Sequence, residues 1–398
     1  MRVAPALFAV AWNGNEFTPL LPLYRQSVGL SQTAVYILLG MYVVGIVPGL
    51  MIGGPASDRF GRRRVMLPAP FIAALGSVCI AVGAHWFPLM YLGRALCGLA
   101  LGFTMAVGTA WAKELSQAPH ERFAPPAVGA KRASLSLTAG FTLGAAVAAV
   151  LAQWGPWPTA LPFVLAACLA VAAGLWQLPT IETAGLGVAE GAPSRMAHAM
   201  RIPSAFSPRF LAVVATTAGW VFATNGVAYA ILPTMMQDQV SGWPVAYFGL
   251  MNLLTLGTGF VTQQIAGRFA PKPGTRRGLG IAMGVTVVSL GLAVVAAATR
   301  SIPLCAVVAV CFGVSYGLLL LGGLREVQAV AAPQDLGGLT GVFYSIAYLG
   351  FFVPTIVSLL EVWVSVPMQI AVLGVIAVGG FVCVMRFGRV PARRDAER

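Results

Sequence analysis

Apolar residues run through this chain in stretches of about twenty, each closed by a charge or by a cluster of proline, glycine and polar residues. A helix rises about 1.5 Å per residue, so such a stretch crosses the ~30 Å hydrocarbon core of a bilayer. Twelve spans are read this way, with limits near 5–24, 33–56, 64–84, 88–112, 133–153, 159–178, 209–236, 245–267, 278–298, 302–324, 337–360 and 365–386. The pattern predicts an all-α integral membrane protein of twelve transmembrane helices. The one long polar interruption, 179–208, reads as a linker. It divides the chain into a six-helix bundle (1–178), the linker, a second six-helix bundle (209–386) and a basic tail (387–398).

Composition excludes a soluble fold. Hydrophobic residues make up 58% of the 398 positions and charged residues only 9%, against about 25% charged in average soluble domains. The net charge of +13 raises the question of nucleic acid, but its distribution answers otherwise. Of 25 Lys and Arg, only Arg25 and Arg300 fall in loops on one side of the membrane and Arg94 lies inside span 4; the rest share the opposite side. That asymmetry predicts a multi-pass protein of the inner (cytoplasmic) membrane with both termini cytoplasmic. The first segment lacks a small-residue cleavage site and is expected to remain as span 1. The six cysteines lie in apolar runs without Cys-x-x-Cys spacing, and no Ser/His or His/Asp cluster lies at membrane depth. No metal, no cofactor and no enzymatic activity are therefore expected.

The two bundles repeat one another. Leu21-Pro22 answers Leu232-Pro233, Arg59-Phe60 answers Arg268-Phe269, and Lys113-Glu114 answers Arg325-Glu326, at nearly constant separation. Similar halves with a site near the bilayer midplane are the architecture of alternating-access transporters.

Against this apolar background two charges stand out. Glu16 lies within Asn-Gly-Asn-Glu-Phe-Thr-Pro in span 1, and Arg94 lies six residues into span 4. A carboxylate at the centre of a membrane helix costs roughly 2.5–3.5 kcal/mol, which makes it a functional candidate. Counted along the helices, Glu16 is roughly 12 Å and Arg94 roughly 9 Å below the outer surface. They share a depth and are expected to pair at least transiently, either as a proton-coupling element or as a static ion pair that fixes helix register. Burial and a neighbouring guanidinium act in opposite senses on a carboxylic acid, so anything that moves the arginine would move the proton.

The most specific motif is Gly54-Pro-Ala-Ser-Asp58-Arg59-Phe-Gly61-Arg62-Arg63-Arg64, between spans 2 and 3. It resembles the Gly-x-x-x-Asp-Arg-x-Gly-Arg-Arg signature of the major facilitator superfamily. The degenerate copy after span 8 lacks the aspartate. The resemblance implies two six-helix halves related by a pseudo-two-fold axis, with this loop as a cytoplasmic latch. In that latch Gly54 admits a close helix, Asp58 faces the start of span 11 near Gly337-Gly338, and Arg59 reaches Glu114. Arg94-x-x-x-Gly98-x-x-x-Gly102 resembles the span 4 motif of proton-coupled members of the superfamily, in which spans 1 and 4 line the cavity.

Candidate substrate contacts in the first half are Asn13, Asn15, Tyr42, Met105 and Thr142. Those in the second half are Trp220, Asn225, Tyr229 and Asn252, together with Tyr316, Tyr344 and Tyr348. Each also fits an interhelical hydrogen bond or a packing role. One acidic group among many aromatics suits a hydrophobic, neutral or cationic solute. The leading expectation is a monomeric transporter that exports such compounds by proton antiport. Span 5 departs from many exporters of the superfamily in having Gly140 and Gly144 without a nearby proline. Proton-coupled uptake of a sugar, amino acid or organic acid is the alternative. A receptor or scaffold on a transporter fold is a third. The expected partners are a small-molecule substrate, protons and membrane lipid.

Overall fold

The computed structural model describes residues 2–121, 125, 128–183, 202–269, 276–332 and 335–388. Most of the expected linker, Arg122 and the tail beyond 388 lie outside them. Among the described residues the regular structure is entirely helical. Ten helices are long and apolar enough to cross a membrane. They are α2 (Gln32–Phe60), α3 (Arg62–Val82), α4 (Phe87–Leu115), α5 (Val128–Trp154), α7 (Phe210–Met235), α8 (Pro244–Phe269), α9 (Arg276–Thr299), α10 (Ile302–Val330), α11 (Leu336–Leu360) and α12 (Val366–Phe387). Two more complete the twelve. α6 (Leu161–Gln177) is apolar but has only 17 residues, the lower end of a crossing length. α1 is broken into Ala4–Asn15, a 3₁₀ turn Thr18–Leu20, and Leu21–Ser27.

The break in α1 has a local cause. Pro19 and Pro22 have no amide hydrogen, so the carbonyls of Asn15 and Thr18 lose their α-helical partners, and Thr18 accepts the Leu21 amide instead. The first α segment therefore ends at Glu16, its C-cap. Elsewhere the ends follow ordinary chemistry. Ser31 and Ser301 accept the amides of Ala34 and Leu304 at the starts of α2 and α10, and proline occupies the first turn of α4, α6, α10 and α12, where its missing donor costs nothing.

The chain forms two compact units. The first comprises Met1–Arg201 with Gln237–Leu253, and the second comprises Ile202–Met236 with Leu254–Arg398.

The first unit is assembled on glycines. A Cβ on Gly98 would collide with the Tyr42 carbonyl, and one on Gly102 would lie 2.6 Å from the Ile46 carbonyl and 2.7 Å from the Gly49 Cα. Seen from α2, Gly45 and Gly49 press on the backbone of Ala95 and Leu99. On the other side of α4, Gly93 and Gly76 bring α3 equally close. α5 meets α1 in the same way, with Gly140 against the Phe8 carbonyl and Gly144 against the Trp12 backbone. Membrane helices lack a hydrophobic drive to associate, so close backbone packing supplies the contact.

The second unit repeats the device. Gly313 and Gly317 of α10 lie against the carbonyls of Thr255 and Gly259 in α8, at 2.5 and 2.6 Å from an added Cβ.

Candidate functional site

In the first unit, Glu16 and Arg94 are both completely buried. The glycine seams explain why Arg94 can be there. With no side chains on Gly93 and Gly98, α4 sits so close to α2 and α3 that an arginine between them has no route to solvent. Its Nε donates to the Leu38 carbonyl at 3.2 Å. Its guanidinium lies between two rings, 4.7 Å from the centroid of Phe17 and 4.4 Å from that of Tyr42. Neither terminal nitrogen has a hydrogen-bond partner.

Glu16 is held differently. Ser77 of α3 reaches its Oε1 at 3.4 Å and also donates to the Asn13 side-chain oxygen. Asn13 Nδ2 donates in turn to the Ala9 carbonyl at 2.9 Å. Glu16 Oε2 has no hydrogen-bond partner. The expected pair is thus brought into one buried cluster, but no ion pair within 4 Å joins the two side chains.

The energetics of this cluster are unbalanced. Two desolvated cation–π contacts return on the order of 2 kcal/mol each. The desolvation penalty for a buried ion is several kcal/mol, and it is offset only by a close counter-charge with its remaining hydrogen bonds satisfied. Arg94 has the aromatic contacts without the close counter-charge. The cluster can therefore gain by moving: closing the gap between Glu16 and Arg94, or putting a proton on Glu16, each relieves one buried charge.

Tyr42 joins the cluster through its ring, and its hydroxyl lies against Gly14, where a Cβ would come within 2.7 Å. Asn15 is buried on the same helix. Met105 lies in a π-helical turn of α4, Thr104–Gly108, and Thr142 is half-buried on α5. Asn252, about two turns into α8, is fully buried with neither carboxamide atom hydrogen-bonded. Phe17 and Ser77 were not singled out from sequence. Ser77 is a lone hydroxyl within an apolar span, and Phe17 adjoins Glu16; neither pattern is distinctive.

In the second unit three of the named residues, Tyr316, Tyr344 and Tyr348, join an uncharged aromatic cluster. Phe222 of α7 stacks on Tyr348 at 4.3 Å and on Phe351 at 4.9 Å, with Tyr316 at 5.9 Å. Tyr344 adjoins Tyr348 at 6.5 Å. One turn from Phe222, Asn225 is fully buried and neither carboxamide atom has a hydrogen-bond partner. Tyr229 follows it within a π-helical turn, Val227–Ile231. Trp220 instead lies on the side of α7 that meets Gly380 of α12.

The loop between α2 and α3 corrects one expectation. Arg62, not Arg59, is the partner of Glu114, through its Nε at 3.2 Å. The same guanidinium holds Asp58 at 2.8 Å. The reason is the turn at Gly61, whose φ of +93° is open to glycine. It redirects the chain so that Arg62 points back over the end of α2, while the exposed Arg59 lies 5.3 Å over Phe60. Within its own unit, Gly54 has no atom within 4 Å of an added Cβ, so the close helix approach is not made there.

Glu182, just after α6, was also not anticipated. Its two carboxylate oxygens accept the backbone amides of Arg62 and Arg63 at 2.9 and 3.0 Å, where the first turn of α3 has unsatisfied donors. A Cβ on Gly61 would strike that carboxylate. Thr183 donates to Glu114 at 2.5 Å, and Arg63 donates to the Leu178 carbonyl at 3.0 Å. The corresponding acid of the second unit, Glu326, takes a different partner, Arg209 at 2.8 Å.

Comparison with known proteins adds three observations. The family model of the Major Facilitator Superfamily matches residues 3–355. Among curated proteins, the chain is 29% identical over 182 residues to the inner membrane transport protein YnfM of Escherichia coli (strain K12), covering 45% of this chain and 42% of that protein. It is 25% identical over 146 residues to the bacillibactin exporter of Bacillus subtilis (strain 168), covering 35% and 36%. The matched segments thus span less than half the length of either relative. Among solved structures, a D-xylose–proton symporter superposes with a TM-score of 0.74 at 15% identity, covering 97% of this chain and 96% of that one; at that identity the likeness speaks for the fold.

Proposed function

The chain belongs to the major facilitator superfamily, and we propose that it is a secondary active transporter that exports small hydrophobic, neutral or cationic compounds in exchange for protons by alternating access. The observation that carries this reading is the buried, unbalanced charge cluster. Glu16 and Arg94 are both inaccessible to solvent, and Glu16 Oε2 and both Arg94 terminal nitrogens have no hydrogen-bond partner. Static buried ion pairs persist by satisfying one another; this one does not. Glu16 takes up and releases the coupling proton. Arg94 responds to its charge, drawn toward the carboxylate and released from the acid. Asn13 and Ser77 orient the carboxyl in either form. Phe222, Asn225, Tyr229, Tyr316, Tyr344 and Tyr348 contact the substrate, which an aromatic face with one unpartnered carboxamide suits better than a phosphate or a di-acid.

The loop of Gly54, Asp58, Arg59, Gly61, Arg62 and Arg63, with Glu114, acts as the cytoplasmic gate. Both termini face the cytoplasm, in keeping with the distribution of Lys and Arg. The protein resides in the inner membrane and works as a monomer. A relative described as an exporter supports the direction of transport. The glycines of α5 without a proline favour the second reading, proton-coupled uptake of a small metabolite.

Everted membrane vesicles carrying the protein test both. On imposition of an inward-acid gradient, a hydrophobic cationic dye is expected to move into vesicles with the native chain, and not with Glu16→Gln. Gradient-driven movement in the opposite direction supports uptake. Native rates for Glu16→Gln would sink the role given to this residue.

A further inference from the structure

The arginine-rich end of the first unit holds a cleft of about 390 Å³ outside the gate loop. Its wall carries Arg2, His120 and Arg132 against a single acid, Glu121. Arg132 grips Glu121 with both terminal nitrogens, at 2.5 and 3.0 Å. Those hydrogen bonds hold the Glu121 carboxyl below its ordinary range, and the ion pair balances its charge with that of Arg132. The cleft is left with a net positive charge. Thr180 also lines it. This side chain is only 7% exposed, and its hydroxyl has no hydrogen-bond partner. A buried hydroxyl without a partner is costly, and in a polar cleft it marks a place for a ligand atom.

We propose that this cleft binds a phosphate group, taking one oxygen on the Thr180 hydroxyl and others on Arg2. The donor is either an anionic phospholipid headgroup or a free phosphate. The site stands independently of what the protein transports.

The cleft also connects to the gate loop. Leu115, in its wall, follows Glu114, and Ile181 precedes Glu182. These are the two acids that hold Arg62 by its side chain and its amide. The Ile181 carbonyl is fixed by the Trp111 indole at 3.1 Å. Occupancy of the cleft pins 179–182 in the conformation in which Glu182 receives the Arg62 and Arg63 amides. The bound group thus steadies the contacts of Glu182 with the loop of Arg62 and Arg63.

The full chain in maltoside micelles, free of added phospholipid, provides the test. Thermal unfolding is followed while inorganic phosphate is titrated at constant ionic strength and, separately, while phosphatidylglycerol is added. At least one probe is expected to raise Tm saturably, by mass action on the folded state. Phosphate acting alone identifies a soluble ligand; phosphatidylglycerol acting alone identifies the headgroup. Thr180→Val and Arg2→Gln should each require about tenfold more probe for the same shift. Without probe, Thr180→Val should melt no lower than the native chain, because the lost hydroxyl had no partner. Equal shifts in the native chain and both variants, or no shift with either probe, would overturn the proposal.

Discussion

Two helix pairs in this molecule are built alike and equipped differently. In the first unit Gly98 and Gly102 seat α4 on the backbone of α2; in the second, Gly313 and Gly317 seat α10 on α8. One turn before the first glycine of each pair stands a buried residue, Arg94 in the first case and Ala309 in the second. The broken helix opposite shows the same contrast. Five residues ahead of Leu21-Pro22 is Glu16, and five ahead of Leu232-Pro233 is Val227, both buried. The scaffold is shared, but among the described residues only the first copy carries buried charge at these positions. In the second unit the buried acids among the described residues, Glu326 and Asp335, sit at helix ends, held by Arg209 and Ser204. On the proposed reading a duplicated fold divides its labour: the first unit carries the titratable chemistry, and the second an aromatic, uncharged surface that adds no desolvation penalty for a buried ion.

The comparison can be broken at its common part first. Gly98→Leu puts a side chain into the Tyr42 carbonyl, and Gly313→Leu puts one into the Thr255 carbonyl. Each should lower stability by about 3 kcal/mol, read as loss of monodisperse protein or a large fall in Tm. Gly54→Ala, on the same helix as Tyr42 but without a close neighbour in its unit, should leave stability unchanged or raise it by up to ~1 kcal/mol. A tolerant Gly98 would mean that α2 and α4 are not in backbone contact.

The next test separates charge from packing. Arg94→Met takes the neighbouring cation away from the buried Glu16, at a cost on the order of 3 kcal/mol. Adding Glu16→Gln should recover much of this, giving a double-mutant coupling of about 1 kcal/mol or more. Ala309→Met in the second unit costs about 1–3 kcal/mol by overpacking, and Glu16→Gln should not rescue it. Additive effects of Arg94→Met and Glu16→Gln would uncouple the two charges.

Smaller effects are expected on the aromatic face. Phe222→Leu removes ring contacts with Tyr348, Phe351 and Tyr316 and should cost about 1–2 kcal/mol of stability. Substrate affinity should fall while proton coupling is kept. Asn225→Leu should leave Tm level or raised, because its carboxamide bonds to nothing in the native chain, and should weaken substrate binding alone. Loss of proton movement in either variant would contradict the division between the units.

Much of this plan was legible in the sequence, for physical reasons. Bilayer thickness writes itself into span length, and the penalty on buried charge makes Glu16 and Arg94 conspicuous in apolar runs. What could not be read was direction. The run of basic residues after Asp58 does not reveal that Gly61 turns with positive φ and so hands Glu114 to Arg62 rather than Arg59. Glu182 looks like any acid opening a polar linker; that it accepts two amides from a loop 119 and 120 positions earlier depends on tertiary packing. Phe17 and Ser77, which contact the two charges, are ordinary residues whose roles come from position. The glycines of α4 were visible as a motif, but their contact with the Tyr42 and Ile46 backbone explains how an arginine is buried there.

The most direct test of the division is flux through Glu16→Gln in proteoliposomes, with two readouts on one preparation. Substrate accumulation driven by a proton gradient should be abolished, while substrate-for-substrate exchange without a gradient should persist near the native rate, because the aromatic face of the second unit is untouched. Gradient-driven accumulation at the native rate, or loss of exchange together with coupling, would contradict the assignment of coupling to the first unit and recognition to the second.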